Sequence, residues 1–323
     1  MRAVVCEEFG PIDSLKIEQQ DDPTPGSNDV VIEAEAIGVN FPDGLLVQGL
    51  YQMKPPTPFV PGMELAGTVC AAGENSGFKE GDRVASVCML GAYAEKVKVH
   101  KSMVMPIPAS ADAAEVTALL CGYGTSHHAL KQRGQLKEGE TLVVTGASGL
   151  TGLAAVQIGK AMGAKVIAVA STPEKQKICS DNGADITLGY DNLKDDLKKA
   201  TDGKGADVVF DVVGGDVFHA CSRAVGWNGR LLIIGFADGD IPKFPVNLAL
   251  VKGYSVVGVF WGDFTRREPE AYAQNMKELM DWYGEGKVKP LVERTFELAE
   301  AAEALKHIHD RKASGKVALV PQR

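Results

Sequence analysis

Long hydrophobic runs, paired cysteines and excess positive charge are all missing from this sequence of 323 residues. No apolar run reaches the roughly 18 residues that a membrane-spanning helix needs, so we expect no membrane partner. The six cysteines are scattered and form no C-x-x-C pair, which argues against a disulfide framework or a zinc ribbon and favours reduced thiols. The net charge of -8 argues against a general nucleic-acid binder, because such proteins carry a basic surface.

Length and composition predict a globular protein with two domains. Charged residues make up 24% and hydrophobic residues 45% of the chain, both ordinary fractions. A chain of 323 residues exceeds what one hydrophobic core usually serves. Met1–Val4 leads directly into an apolar strand, without the charged and apolar regions of a signal peptide, so we expect a cytoplasmic location.

The two ends of the chain predict a mostly β domain. Short β-like runs separated by Pro-rich and Gly-rich turns occupy Val30–Val39, Leu65–Ala72, Arg83–Val87 and Ala92–Val99. The C-terminal part predicts helices over Pro269–Glu285 and Ala299–His309 and a strand over Lys316–Val320. We expect residues 1–123 to form the first domain, and residues 263–323 to return to it and complete it.

The middle of the chain predicts a doubly wound α/β domain over residues 124–262. Apolar runs alternate with helical stretches, which is typical of a parallel sheet that is covered on both faces. The predicted strands are Thr141–Thr145, Lys165–Ala170, Ile186–Leu188, Asp207–Val213, Arg230–Gly235 and Tyr254–Phe260. Six parallel strands are the number in a complete dinucleotide-binding fold.

A glycine-rich turn between the first of these strands and the next helix indicates where a dinucleotide binds. The pattern A-x-G-x-x-G spans Ala147, Gly149 and Gly152, with alanine at the place of the usual first glycine. Gly149 would let the backbone approach a pyrophosphate, and Gly152 would let the helix pack closely. The helix N-terminus would then offer its N–H groups to the phosphates. No GxxxxGK[ST] pattern of a P-loop occurs.

The end of the second predicted strand favours NADPH over NADH. NAD enzymes usually carry Asp or Glu there to bind the ribose hydroxyls, whereas this sequence has Ser171. Lys175, four residues further on, is placed to pair with a 2′-phosphate.

Motifs along nearly the whole chain resemble the zinc-independent NADPH:quinone oxidoreductases, the zeta-crystallin-like branch of the medium-chain dehydrogenase/reductase superfamily. The matching stretches are Gly38–Asp43, Pro61–Gly67, Glu80–Val84, Gly122–Thr125, Gly146–Gly152, Asp211–Gly215 and Ser314–Val317. The resemblance implies a GroES-like β domain, built from both chain ends, beside a Rossmann domain. It also implies that NADPH lies in the cleft between them.

The resemblance also implies a set of site residues. Asn40 matches an asparagine near the nicotinamide and Tyr51 a tyrosine of the substrate cleft, and these two are the predicted catalytic residues. A second family tyrosine is replaced by Leu45. Ser171, Lys175 and Tyr190 match positions around the 2′-phosphate. The remaining predicted cofactor contacts are Thr125, Ser148, Gly149, Leu150, Thr151, Val213, Gly235, Phe236, Phe260 and Trp261, with Lys316 closing the site from the C-terminal segment.

The residues at the family's zinc-ligand positions predict that no metal is bound. Related zinc alcohol dehydrogenases have Cys and His where this chain has Asn40 and Met63. An amide and a thioether do not supply the ligands that catalytic zinc requires. His127 and His128 are adjacent on a predicted helix and point about 100° apart, so they do not chelate one ion together. We expect them to be ordinary helix residues, and Glu64 to be structural.

Without a metal to polarise an alcohol or a carbonyl, hydride transfer to a quinone or another α,β-unsaturated carbonyl is the favoured activity. One alternative is an enoyl- or acryloyl-thioester reductase, in which Arg266 and Arg267 meet a coenzyme A phosphate. Another is a non-catalytic NADPH-binding protein like the crystallin relatives. The last predicted strand, Tyr254–Phe260, would be an exposed apolar edge, so we expect a homodimer that joins two such edges.

Overall fold

The computed structural model describes residues 1–321, which contain fifteen strands and eleven α-helices. The strands are β1 (Arg2–Val5), β2 (Lys16–Gln19), β3 (Asp29–Val39), β4 (Glu64–Ala72), β5 (Arg83–Val87), β6 (Lys96–His100), β7 (Val104–Pro106), β8 (Thr141–Val144), β9 (Lys165–Val169), β10 (Ile186–Leu188), β11 (Ala206–Asp211), β12 (Val225–Ile233), β13 (Ser255–Gly258), β14 (Val292–Glu297) and β15 (Lys316–Val320). The α-helices are α1 (Phe41–Val47), α2 (Ala113–Ala118), α3 (Gly124–His128), α4 (Leu150–Ala161), α5 (Pro173–Asp181), α6 (Leu193–Ala200), α7 (Gly215–Ala224), α8 (Asn247–Lys252), α9 (Trp261–Arg267), α10 (Pro269–Gly284) and α11 (Ala301–His309).

The chain divides into two compact units. The first unit comprises Met1–Cys121 and the described part of Pro290–Arg323, and the second unit is Gly122–Lys289. The prediction that the chain returns to the first domain at residue 263 was wrong, because α10 belongs to the second unit. There α10 packs on the chain around α3, where Gln132 and Asn275 exchange side-chain hydrogen bonds of 2.8 and 3.1 Å. The return therefore begins at residue 290.

The first unit is built on a seven-stranded sheet with the order β14-β15-β3-β4-β5-β7, in which β6 also pairs with β3. A strand is present in each region predicted at the two chain ends, although the run Ala92–Val99 is a strand only from Lys96 onwards. Strand β15 pairs antiparallel to β3, with Val317 opposite Val39. Gly67 of β4 lies so close to β3 that an added Cβ would sit 2.0 Å from the Glu33 carbonyl oxygen. The register places Lys316, at the start of β15, beside the residue that follows β3.

The second unit contains a six-stranded parallel sheet with the order β10-β9-β8-β11-β12-β13. The central strands are apolar and buried on both faces, as the sequence predicted. The strand order reverses between β8 and β11, which makes this the topological switch point where ligands of such folds bind. The predicted α/β class and the six-stranded doubly wound domain are thus confirmed.

No helix within residues 1–321 combines the length and the apolar character that crossing a lipid bilayer requires.

Candidate active site

The residues predicted to bind the cofactor in the second unit follow the carboxyl ends of its strands. All six strands are parallel, so these ends lie along one edge of the sheet. The predicted residues that follow the strands are Ser148 to Thr151 after β8, Ser171 after β9, Tyr190 after β10, Val213 after β11, Gly235 and Phe236 after β12, and Phe260 and Trp261 after β13. The other two lie on helices, Thr125 on α3 and Lys175 in the first turn of α5.

The glycine-rich turn gives Gly149 and Gly152 different roles. An added Cβ on Gly152 would sit 2.3 Å from the Gly146 carbonyl oxygen and 2.8 Å from the Ala147 Cα, so only glycine allows α4 to pack on the turn. The same atom on Gly149 would meet only the Gly146 oxygen, at an ordinary 3.5 Å. Gly149 precedes α4, whose first turn has no side-chain cap in the described chain. The N–H groups in the first turn of α4 are therefore placed to bind an anion.

Asp211 organises the neighbouring turn, and sequence reasoning missed it. Its Oδ1 accepts a hydrogen bond of 2.6 Å from the Thr145 hydroxyl, and further bonds from the backbone amides of Val213 and Gly214 at 3.0 and 3.3 Å. Burial raises the pKa of the Asp211 carboxyl, whereas the hydrogen bond from Thr145 lowers it. This carboxylate joins the ends of β8 and β11 at the switch point. An acidic residue that ends an apolar strand was the available signal.

The three residues predicted around the 2′-phosphate differ in their surroundings. Ser171 is exposed, and the backbone amide of Lys175 donates to the Thr172 hydroxyl at 3.3 Å, which caps α5. The Tyr190 hydroxyl accepts a hydrogen bond of 3.0 Å from the Gly146 amide and donates to the Val169 carbonyl at 3.3 Å. Burial raises the pKa of Tyr190 to about 12, so the hydroxyl keeps its proton and supports the glycine-rich turn.

Two aromatic residues follow β13 and are exposed to different extents. Trp261 is buried, and an added Cβ on Gly124 would lie 2.9 Å from its ring. The Trp261 ring also meets the Tyr272 ring edge-on, with 5.9 Å between the centroids. Phe260, in contrast, is 59% exposed.

In the first unit, Asn40 lies next to a buried ion pair. The Lys316 ammonium donates to Glu64 Oε1 at 2.5 Å, and both side chains are completely inaccessible to solvent. The Asn40 Nδ2 donates to the same carboxylate oxygen at 2.7 Å, and the Asn40 Oδ1 accepts from Lys316 at 3.3 Å. The backbone amide of Cys121 donates to Glu64 Oε2 at 2.7 Å. A direct contact of Lys316 with a cofactor stays a prediction, which this burial does not favour.

Gly38 makes room for the ion pair. A Cβ on this residue of β3 would lie 2.1 Å from Glu64 Oε1 and 2.6 Å from Lys316 Nζ. Any side chain here would displace the two charged groups, so Gly38 is a requirement of the cluster.

A second buried carboxyl group holds the backbone of Asn40. The Oδ2 of Asp43 accepts from the Asn40 amide at 2.8 Å and from the Tyr93 hydroxyl at 3.0 Å. Its Oδ1 has no hydrogen-bond partner within residues 1–321. Burial raises the pKa of Asp43 to about 7; the Asn40 amide lowers it and the charge of Glu64 raises it.

We expect Asp43→Asn to stabilise the protein increasingly as the pH rises. A carboxyl whose pKa is about 7 when folded and near 4 when unfolded contributes stability below pH 4 that is lost by pH 7. The asparagine variant has no such loss, so its advantage should grow to the order of a few kcal/mol above pH 7. Urea unfolding of both proteins between pH 4 and 8 measures this, and a gap that stays constant with pH would contradict it.

Tyr51, the second predicted catalytic residue, lies on the loop that follows α1. It is half-buried and packs against a cluster formed by Cys6, Leu46, Val47 and Phe59. Burial raises the pKa of its phenol, so the hydroxyl remains protonated and able to donate a hydrogen bond.

The histidines and arginines singled out in the sequence have protein partners. The His127 ring contacts Glu278 at 3.0 Å, and the His128 ring stacks on Phe264 with 3.8 Å between the centroids. Both Arg266 and Arg267 pair with Asp263. No group of three or more His, Cys, Asp or Glu residues suited to a metal ion occurs in the part of the chain that the structure describes. The amide of Asn40 and the thioether of Met63 likewise do not fit zinc.

Comparison with known proteins identifies the class of both parts of the chain. Residues 26–109 match the alcohol dehydrogenase GroES-like domain, and residues 151–282 match the zinc-binding dehydrogenase domain. These two domains together are those of a dehydrogenase or reductase of the medium-chain superfamily, and the fold of the two units agrees with this class.

Whole-chain relatives narrow this class. The chain is 38% identical to the quinone oxidoreductase-like protein 2 homolog of Nematostella vectensis, covering 98% of this chain and 88% of that protein. It is 34% identical to the quinone oxidoreductase of Homo sapiens, covering 99% of this chain and 98% of that protein. The structure of a mycobacterial protein complexed with NADPH superposes with a TM-score of 0.93 at 31% identity, covering 99% of this chain and 100% of that one. The chain therefore belongs to the quinone oxidoreductase family, and it is an oxidoreductase.

Proposed function

We propose that this protein is an NADPH-dependent reductase that transfers hydride to a quinone or another α,β-unsaturated carbonyl without a metal ion. The carboxyl edge of the six-stranded sheet carries the proposal: it combines the uncapped start of α4 with Ser171 where NAD enzymes carry an acid. Similar proteins are named quinone oxidoreductases, and a similar structure holds NADPH.

The absence of a metal requirement is supported by the chemistry of the first unit. Asn40 and Met63 stand where zinc-dependent relatives have ligands, and neither side chain suits the ion. The charge of Glu64 is already balanced, because the Lys316 ammonium lies 2.5 Å from its Oε1. A zinc ion would have to compete with this buried cation.

In the proposed reaction NADPH supplies a hydride when it is bound, and the acceptor takes up a proton. The start of α4 and the turn held by Asp211 bind and orient the dinucleotide, and Ser171 and Lys175 hold its 2′-phosphate. Tyr51 donates a hydrogen bond to the oxyanion that forms on the acceptor, since its phenol carries a proton at neutral pH. A quinone or enone suits this site because hydride addition gives a delocalised anion, so positioning can replace a Lewis acid.

The proposed activity is tested with purified protein that has been exhaustively treated with chelator and examined by elemental analysis. We expect it to oxidise NADPH with quinones or enals as acceptors. Turnover with acryloyl-CoA alone would favour the thioester reductase, which the pairing of Arg266 and Arg267 with Asp263 does not support. NADPH binding without turnover of any acceptor would favour the non-catalytic alternative. A stoichiometric zinc ion whose removal abolishes turnover would overturn the metal-free mechanism.

We expect Lys175→Ala to weaken NADPH binding roughly ten- to a hundredfold and to leave NADH binding nearly unchanged. A charge-assisted hydrogen bond contributes about 1.5–3 kcal/mol, and about 1.4 kcal/mol corresponds to tenfold in affinity. Ser171→Asp should shift the preference towards NADH, because a carboxylate repels the phosphate. Calorimetric titration with both cofactors measures these effects.

Lys177→Ala is the matched control, since Lys177 lies on the same helix and pairs with Asp181 at 2.8 Å. Its cofactor affinities should equal those of the wild type. If Lys175→Ala weakens both cofactors equally, or neither, Lys175 does not select NADPH.

We also propose that the protein forms a homodimer through β13, with a cytoplasmic location supported by six unpaired cysteines. Among the described residues, β13 pairs only with β12, so its other edge is open. Val256 on β13 and Leu250 on the preceding α8 are exposed apolar residues, and Leu250 is 81% accessible.

Sedimentation at micromolar concentration tests the proposed dimer. We expect the wild type to be a dimer and the variant Val256→Lys to be a monomer. The control Ile17→Glu, at an exposed position of the first unit, should remain dimeric; a monomeric wild type would refute the proposal.

A further inference from the structure

The buried ion pair of Glu64 and Lys316 calls for an explanation beyond stability. Both side chains are completely buried, and moving two charges out of water costs about as much as their attraction returns. A well-packed apolar pair in the same space would often serve the fold equally well. The distinguishing property of this pair is that both charged groups contact the side-chain amide of Asn40.

The chemistry of the three groups permits one orientation of that amide. A carboxylate only accepts hydrogen bonds, an ammonium only donates them, and the two ends of an asparagine amide are a donor and an acceptor. Asn40 Nδ2 must therefore face Glu64, at 2.7 Å, and Oδ1 must face Lys316, at 3.3 Å. Turning the amide over would place its N–H groups against the ammonium and its oxygen against the carboxylate.

The surroundings hold both charged groups in place. Glu64 Oε2 accepts the backbone amide of Cys121 at 2.7 Å, so the carboxylate has a second anchor. Lys316 begins β15, whose next residue pairs with Val39 of β3 immediately before Asn40. The backbone of Asn40 is fixed separately, through its bond of 2.8 Å to Asp43.

We propose that Glu64 and Lys316 are positioning residues that fix the orientation of the Asn40 amide and thereby present its remaining N–H in one direction to the reacting molecules. Asn40 is half-buried, unlike the ion pair, and each amide nitrogen carries two hydrogens, of which Glu64 takes one. The inference rests on the proposed function and on the prediction that Asn40 lies near the nicotinamide. It replaces the direct cofactor contact predicted for Lys316 with an action through Asn40.

A kinetic cycle tests this coupling. Asn40→Ala in the wild type should lower kcat about a hundredfold, the usual loss of an oriented donor. In the double variant Glu64→Gln/Lys316→Met, which removes both charges but keeps an oxygen for the Cys121 amide, kcat should already be low. Adding Asn40→Ala there should cost less than about threefold, because an amide that is no longer oriented contributes little. Multiplicative effects, or an unchanged kcat after Asn40→Ala in the wild type, would overturn the proposal.

The control removes another ion pair from the same unit. Arg83 and Glu35 lie 2.7 Å apart on β5 and β3, and the variant Glu35→Gln/Arg83→Met should retain wild-type kcat. Thermal unfolding of every variant separates kinetic losses from unfolding. If Glu64→Gln/Lys316→Met does not fold, Glu64→Met/Lys316→Met replaces it in the cycle.

A second measurement does not depend on activity. Exchange of the Asn40 side-chain hydrogen that is bonded to Glu64, assigned by its absence from the spectrum of Asn40→Ala, should be slow in the wild type. It should become at least about tenfold faster in the double variant, since a hydrogen-bonded amide is protected. Unchanged exchange would refute the orientation by the ion pair. A wild type that reduces no acceptor but shows protected exchange would refute the proposed function alone.

Discussion

Replacement of Lys316 by methionine, with Glu64 retained, should lower the free energy of unfolding by about 3–5 kcal/mol. The loss is large because the Glu64 carboxylate, which is fully buried, would be left without the ammonium that lies 2.5 Å from its Oε1. The remaining hydrogen bonds, from Asn40 and Cys121, do not neutralise a charge. Chemical denaturation monitored by circular dichroism measures the difference at pH 7.

The double variant Glu64→Gln/Lys316→Met is the control for this result. It removes both charges together, so most of the stability should return even though kcat stays low. The double variant would then be nearly as stable as the wild type and still have a low kcat. This is the result expected if the ion pair serves to orient the Asn40 amide. If Lys316→Met alone lowers the free energy of unfolding by less than about 1 kcal/mol, Glu64 does not need its counter-ion. A loss of that size is typical of an exposed ion pair rather than a buried one.

Gly152→Ala should abolish tight dinucleotide binding. The new methyl group would lie 2.3 Å from the Gly146 oxygen and 2.8 Å from the Ala147 Cα, both in the backbone, so α4 and the glycine-rich turn must move apart. Such overpacking costs about 1–3 kcal/mol of stability. The movement would also displace the N–H groups at the start of α4, which are proposed to bind the pyrophosphate. Thermal unfolding and calorimetric titration with NADPH measure the two effects.

Gly149→Ala separates packing from ligand approach. Its methyl group meets only the Gly146 oxygen, at 3.5 Å, so the variant should unfold at the wild-type temperature. If the pyrophosphate approaches this turn as proposed, the variant should nevertheless bind NADPH more weakly, because the methyl group would obstruct that approach. Wild-type affinity in Gly149→Ala would place the pyrophosphate elsewhere.

Much of the second unit could be predicted from its sequence because its signals are local. Strands that are buried on both faces, such as Lys165–Val169, consist of nearly continuous apolar residues. Such a run predicts a parallel strand even when its neighbouring strands are not known. Some short helices were not predicted, among them α1 in the first unit and α9 in the second. In α1, Pro42 and Gly44 resemble turn residues, and α9 spans only seven residues that include Gly262. The place of α10 was predicted wrongly, since its amphipathic pattern shows that it packs but not on which unit.

The candidate site of the first unit could be predicted only in part. The motifs identified Asn40 through the resemblance, but its partners depend on long-range pairing. Glu64 and Lys316 are 252 positions apart, and spacing carries no signal over that distance. The complete burial of Lys316 could not be predicted either, because lysine is almost never fully buried unless it is paired.

The insertion of the whole second unit between the two parts of the first has a consequence for synthesis on the ribosome. Gly122–Lys289 is one continuous stretch, so it can fold as soon as it has been translated. The first unit lacks β14 and β15 until the residues that follow Lys289 have been translated. Until then the Glu64 carboxylate lacks the Lys316 ammonium, with which it forms the buried ion pair. The first unit is therefore completed only after the unit that is inserted into it.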